Sequence, residues 1–120
     1  MSERRKHERK RSTRYILVVN GDTEEHLGCL VDLTAEGMRL MGNKSINSGS
    51  VFRLIIKIND TKAILVDAQS RWCKKNDNPE IFETGFLFHN ITKDNLTKIK
   101  QLIDSPLFKE SLRFALSELD

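Results

Sequence analysis

A six-stranded antiparallel β-barrel followed by C-terminal α-helices, an all-β class, is the fold this sequence predicts. Three observations lead there. Short β-rich stretches recur between turn signals, no helical period separates them, and the hydrophobic period lengthens to that of a helix only after residue 91. The chain has 120 residues, the size of one domain with one core.

The first strand is predicted at Tyr15–Val19, a run of β-formers ended by the turn signal Asn20-Gly21-Asp22. His26–Leu33 is the second, with Leu27, Cys29 and Val31 on one alternating face, and it runs into the turn Asp32-Leu33-Thr34-Ala35-Glu36-Gly37. Met38–Met41 is the third, followed by a polar loop over 42–50. Val51–Ile58 is the fourth. Lys62–Lys74 is the fifth, with Ile64, Val66, Ala68 and Trp72 read as facing inward, and Glu80–His89 is the sixth. Strands joined only by short turns form a meander or Greek key, and closing the sheet removes its exposed edges.

Thr92 is a suitable N-cap for a helix carrying Leu96, Ile99, Leu102 and Ile103 on one stripe. Ser105-Pro106 ends that helix and opens another, because proline is favoured at the first helical position. Phe108, Leu112, Ala115, Leu116 and Leu119 form its stripe, and Phe114 lies off it, as a surface contact would. The predicted organisation is a basic arm over 1–13, a barrel over 14–91 and helices over 92–120.

Charge is unevenly spread. The whole chain carries +3, but residues 1–14 hold seven Lys and Arg against Glu3 and Glu8, a local +5 that leaves the other 106 residues at −2. A basic arm on a mildly acidic body attracts phosphate, whether on a nucleotide, a nucleic acid or a lipid. No apolar run approaches the roughly 20 residues that span a bilayer. The charged start lacks the apolar core of a secretory leader, so a cytoplasmic location is expected. Cys29 and Cys73 are far apart among apolar neighbours, and two reduced, buried thiols are the expectation.

Arg5 and Arg9 sit four apart within the arm. A guanidinium matches phosphate oxygens and the O6/N7 edge of guanine, so the pair suits a nucleotide clamp as well as a solvated tail. In the turn, Asp32 can accept from guanine N1 and N2, the Thr34 hydroxyl can donate or accept, and Gly37 permits a positive φ or a close ligand approach. The same residues also make an ordinary strand-to-strand turn. His7, His26 and His89 are scattered, and no nucleophile-and-base pairing or metal-ligand spacing stands out, so neither an enzyme nor a metal site is expected.

Taken together, these stretches resemble the PilZ domain family. Glu3-Arg4-Arg5-Lys6-His7-Glu8-Arg9 is similar to the family's ERRxxxR opening, Asp32–Leu40 to its D/N-x-S-x-x-G segment, and Gly85-Phe86-Leu87-Phe88 to the Gly-x-x-Phe of its last strand. The family's middle serine is Thr34 here, which keeps the hydroxyl and adds a methyl that stiffens χ1. The resemblance implies a receptor for the bacterial messenger cyclic di-GMP, with no cofactor. Arg5 and Arg9 would hold phosphates and guanine edges, Arg4 would stack on a base, Asp32 and Thr34 would bind a guanine, and Gly37 would shape the turn. It also implies that the arm orders on ligand binding and signals to a downstream protein partner, whose identity these residues do not reveal. Monomer and dimer both stay open. Thr34 sustains one alternative, a PilZ-type interaction module that binds no nucleotide. The basic arm sustains another, a small nucleic-acid-binding barrel, against which stand the acidic body and the small number of aromatics free to stack on successive bases.

Overall fold

The computed structural model describes residues 15–117, with side chains through Arg113. The predicted arm and the side chains of Phe114, Ala115, Leu116 and Leu119 lie outside them. Six strands form a closed antiparallel barrel: β1 Leu17–Asn20, β2 His26–Leu33, β3 Gly37–Gly42, β4 Val51–Lys57, β5 Ala63–Lys75 and β6 Phe82–His89. Their order around the barrel is β1-β2-β3-β6-β5-β4, and β4 pairs back onto β1. Two helices follow, α1 Lys93–Ile103 and α2 Pro106–Ser117. None of the described helices is long and apolar enough to cross a membrane.

Alternation fills the barrel from most strands. Val18, Leu40, Leu54, Ile56, Ile64, Val66 and Ala68 are buried together in one cluster, as period-two side chains on a closed sheet must be. The β2 strand departs from that rule. Its inward residues are Leu27, Leu30 and Leu33, spaced by three, while Cys29 and Val31 lie in a second cluster with Met41. The expectation of one face carrying Leu27, Cys29 and Val31 is thus corrected. The cause is two irregularities of register, one where Val18 pairs with Gly28 but Val19 with His26, the other where Leu30 pairs with Leu40 but Asp32 with Arg39. Each inserts an extra β2 residue and flips the phase.

A third bulge corrects the reading of Trp72. Ser70 pairs with Phe86, but Trp72 pairs with Gly85, so Arg71 is the extra residue. Ser70 is pinned as the last fully buried residue of β5. Its N–H donates to Ser50 O (2.9 Å), its carbonyl accepts from Gly49 N (2.7 Å), and its buried hydroxyl donates to Asn47 O. After that anchor the strand bulges, and Trp72 emerges on the outside, 39% exposed. The two cysteines form no disulfide and are half-buried rather than buried. Cys73 accepts from Thr84 Oγ1 (3.3 Å).

The helices complete the core. Thr92 is the N-cap of α1, and its hydroxyl accepts from Asn95 N at 3.1 Å. Ile99, Leu102 and Phe108 join the same cluster as the barrel interior. Each contributes roughly 1.5–3 kcal/mol by leaving water. Leu112 packs against both clusters, and the buried Ser111 hydroxyl accepts from Ile16 N at 3.0 Å. This bond ties α2 to the chain just before β1. Replacing Ser111 by alanine strands the Ile16 N–H without an acceptor, and urea unfolding should register a loss of about 1–3 kcal/mol; an unchanged midpoint would contradict that role.

Candidate functional site

An open cleft of about 590 Å³ lies across the outer face of the barrel, where the turn after β2 meets β3, β6 and the bulged part of β5. That volume is within the range of small-molecule sites. Asp32, Thr34, Glu36 and Gly37 line one side, Arg39 and Gly85 the floor, and Arg71, Trp72 and Leu87 the other side.

Hydrogen bonds of its own build the turn. Thr34 N donates to Gly37 O at 2.9 Å, and the Thr34 hydroxyl oxygen accepts from Glu36 N and Gly37 N, both at 3.2 Å. Threonine therefore acts first as the hub of the turn, a use of the hydroxyl that serine shares. Asp32 is exposed, and its Oδ1 accepts from Leu33 N at 2.9 Å. Among the described residues that is the only bond of this carboxylate, so the other oxygen is available to a ligand. The turn is tied to β6 by Phe88 N donating to Glu36 O at 2.9 Å.

Gly37 is required for a reason other than a positive φ. A Cβ built there would lie 2.1 Å from Phe86 O, a distance no side chain tolerates. Glycine lets the backbone of β3 come against β6, which is where the turn acquires its neighbours. Arg39 is fixed from below. Its Nη1 is 3.5 Å from Glu83 Oε1, and Glu83, which is buried, accepts from Asn76 Nδ2 at 2.7 Å through its second oxygen. On the far wall, Lys74 Nζ stands 5.6 Å from the centroid of the Trp72 ring.

The structure therefore brings Asp32, Thr34 and Gly37 together at one cleft. Arg4, Arg5 and Arg9 lie outside the described residues. The described residues nearest to them, Tyr15 to Leu17, lie along β2. Leu17 pairs with Cys29, Leu30 N donates to Ile16 O at 2.8 Å, and Tyr15 packs beside Val31, so the chain runs antiparallel along β2 toward Asp32. Arg39, Arg71 and Trp72 are cleft residues that the sequence reading did not single out. Alternation sent Trp72 inward, and no local signal marks the bulge.

A closed six-stranded barrel with two trailing helices and a cleft beside a D-x-T-x-x-G turn defines a PilZ-type barrel. The chain belongs to the PilZ domain family, whose model matches residues 3–105. Among solved structures it is similar to the PilZ domain with c-di-GMP of YcgR from Escherichia coli, at 18% identity and a TM-score of 0.64, covering 84% of this chain and 86% of that one. YcgR from Escherichia coli in complex with c-di-GMP is similar at 17% identity and a TM-score of 0.61, with 88% and 46% covered. The Bacillus subtilis inhibitor of motility, MotI/DgrA, is similar at 18% identity and a TM-score of 0.59, with 76% and 48% covered. This chain thus spans about half the length of the MotI chain and of the longer YcgR chain. At these identities the likeness is one of fold. No curated protein matches the chain.

If the Thr34 hydroxyl holds the turn, Thr34→Val should cost about 1 kcal/mol in chemical denaturation by leaving two N–H groups unpaired, and Thr34→Ser should lie within about 0.5 kcal/mol of the parent. Equal stability of all three would remove the hydroxyl from the turn.

Proposed function

We propose that this chain is a receptor and adaptor for cyclic di-GMP, acting in the cytoplasm as a binding protein rather than an enzyme. The cleft joining the Asp32 turn to Trp72 is the observation that carries this reading. Guanine offers N1–H and N2–H donors on one edge, which suit the outward Asp32 carboxylate, and O6 and N7 acceptors on the other, which suit arginine. Its faces stack on an indole, an interaction worth about 1–3 kcal/mol per base. Trp72 is the one exposed aromatic side chain among the described residues, which fits one seated base better than a track of successive nucleotides. Neither histidine of the described residues lines the cleft.

Charge explains why the arm is needed. Asp32 and Glu36 share the cleft with Arg39 and Arg71, and Arg39, the cross-strand partner of Asp32, is already paired with Glu83. The described walls are close to neutral, whereas the ligand carries two phosphates. The arm brings +5. Arg9 is six residue steps ahead of Tyr15, and an extended chain advances at most ~3.6 Å per residue, a reach of about 20 Å. In this reading Arg5 and Arg9 fold over the cleft, clamp the phosphates and guanine edges with charge-assisted bonds, and leave Arg4 to stack. Thr34 supports the turn and Gly37 its approach to β6. Ordering the arm costs about 1–2 kcal/mol per residue in backbone entropy, so the net affinity is moderate, and the ordered arm is the signal a protein partner reads.

Calorimetric titration with cyclic di-GMP tests this. The parent chain should bind, and Arg5→Ala and Asp32→Ala should each lose about 1.5–3 kcal/mol, the value of a hydrogen bond to a charged group. Absence of binding by the parent, or the same affinity in all three, would refute the receptor reading.

A further inference from the structure

We infer that Gly85 is a positioning residue, the seat on which the β5 bulge lays the Trp72 indole, and that this seat gives the cleft its binding shape; the second half of the inference rests on the receptor reading above. Arg39, Gly85 and Trp72 occupy one cross-strand row on the outside of the barrel, with Arg39 paired to Gly85 and Gly85 to Trp72. A Cβ built on Gly85 would stand 2.4 Å from both Cε2 and Nε1 of Trp72 and 2.7 Å from its Cζ2. The indole thus occupies the space that any side chain at 85 would need. The clash is with the ring itself, so relief requires the ring to leave.

Two features cooperate to produce this. Ser70, fully buried and bonded to the 47–50 loop, anchors β5 from the inside, and the extra residue Arg71 then turns Trp72 outward. Without the bulge the large ring would compete for the barrel interior. Without a glycine opposite, the everted ring would stand off β6 into the cleft. Lys74 beside the ring holds it from its own strand. The result is a broad apolar surface laid across the sheet and facing the Asp32 turn, a platform for a base. Bulges commonly re-aim side chains beside binding sites, and strand glycines mark close approaches.

Four full-length chains test the seat: the parent, Gly85→Ala, Trp72→Ala and the double variant. Trp72 is the single tryptophan, so its emission reports the ring directly. Without nucleotide, Gly85→Ala should show red-shifted, more solvent-like emission and a lowered melting temperature, and Trp72→Ala should rescue most of that melting loss in the double variant. With cyclic di-GMP, Gly85→Ala should weaken binding by about ten-fold in the parent but by less than about two-fold in the Trp72→Ala background, the non-additivity expected of residues in contact. Unchanged emission in Gly85→Ala, or equal melting losses with and without Trp72, would overturn the seat. If Gly85→Ala fails to fold, the double variant decides: recovery of folding supports the seat, and failure of both overturns it. A parent that binds alongside a Gly85→Ala chain of equal affinity would overturn the link to binding, whereas a parent that does not bind would count against the receptor reading, with emission and melting still judging the seat.

Discussion

The close approach of β3 to β6 at Gly37 is the constraint on which the rest of the structure depends. A Cβ at that position would fall 2.1 Å from Phe86 O, so the two strands pair in this register only because residue 37 is glycine. That pairing closes the barrel between residues remote in the chain. It sets the Asp32–Gly37 turn beside β6, puts Arg39 opposite Gly85, and so brings both next to Trp72 on β5. The cleft is a consequence of closure, and most of its walls stand on paired strands. Sites carried on such elements hold their geometry better than sites carried on loops.

A division of labour follows from the charges. The barrel supplies shape: a turn held by the Thr34 hydroxyl, an arginine buttressed by buried Glu83, and an indole lying across glycine. Its cleft is nearly neutral. Positive charge is concentrated instead in residues 1–14, which hold seven Lys and Arg. Ile16, whose carbonyl accepts from Leu30 N, also meets the C-terminal helix, since its N–H donates to the buried Ser111 hydroxyl of α2.

Much of the fold was readable in the residues, and the misses share one cause. The β2 strand, the N-cap at Thr92 and the helix start at Pro106 stand where turn chemistry, period and capping put them, because each is set by neighbours in the chain. What was not readable is the phase of side chains beyond a bulge. On β2 the inward residues are Leu27, Leu30 and Leu33, and on β5 the phase reverses after Ser70; both follow from hydrogen bonds to other strands and loops. Period-two extrapolation therefore buried Trp72. The motif residues Asp32, Thr34 and Gly37 do converge on one cleft, yet Arg39, Arg71 and Trp72 complete its walls only through tertiary pairing. Gly37 shows the same limit: its identity was evident, but the neighbour that demands it, Phe86, lies across the barrel.

The most direct test of the whole picture is a crystal structure of the full chain with cyclic di-GMP. The expected result is one nucleotide-bound cleft in which the Arg5 and Arg9 guanidinium groups and the Asp32 carboxylate contact the same ligand, with a guanine lying on the Trp72 indole. A ligand bound elsewhere on the barrel, or one touching the turn while both arginines remain distant from it, would contradict the central claim.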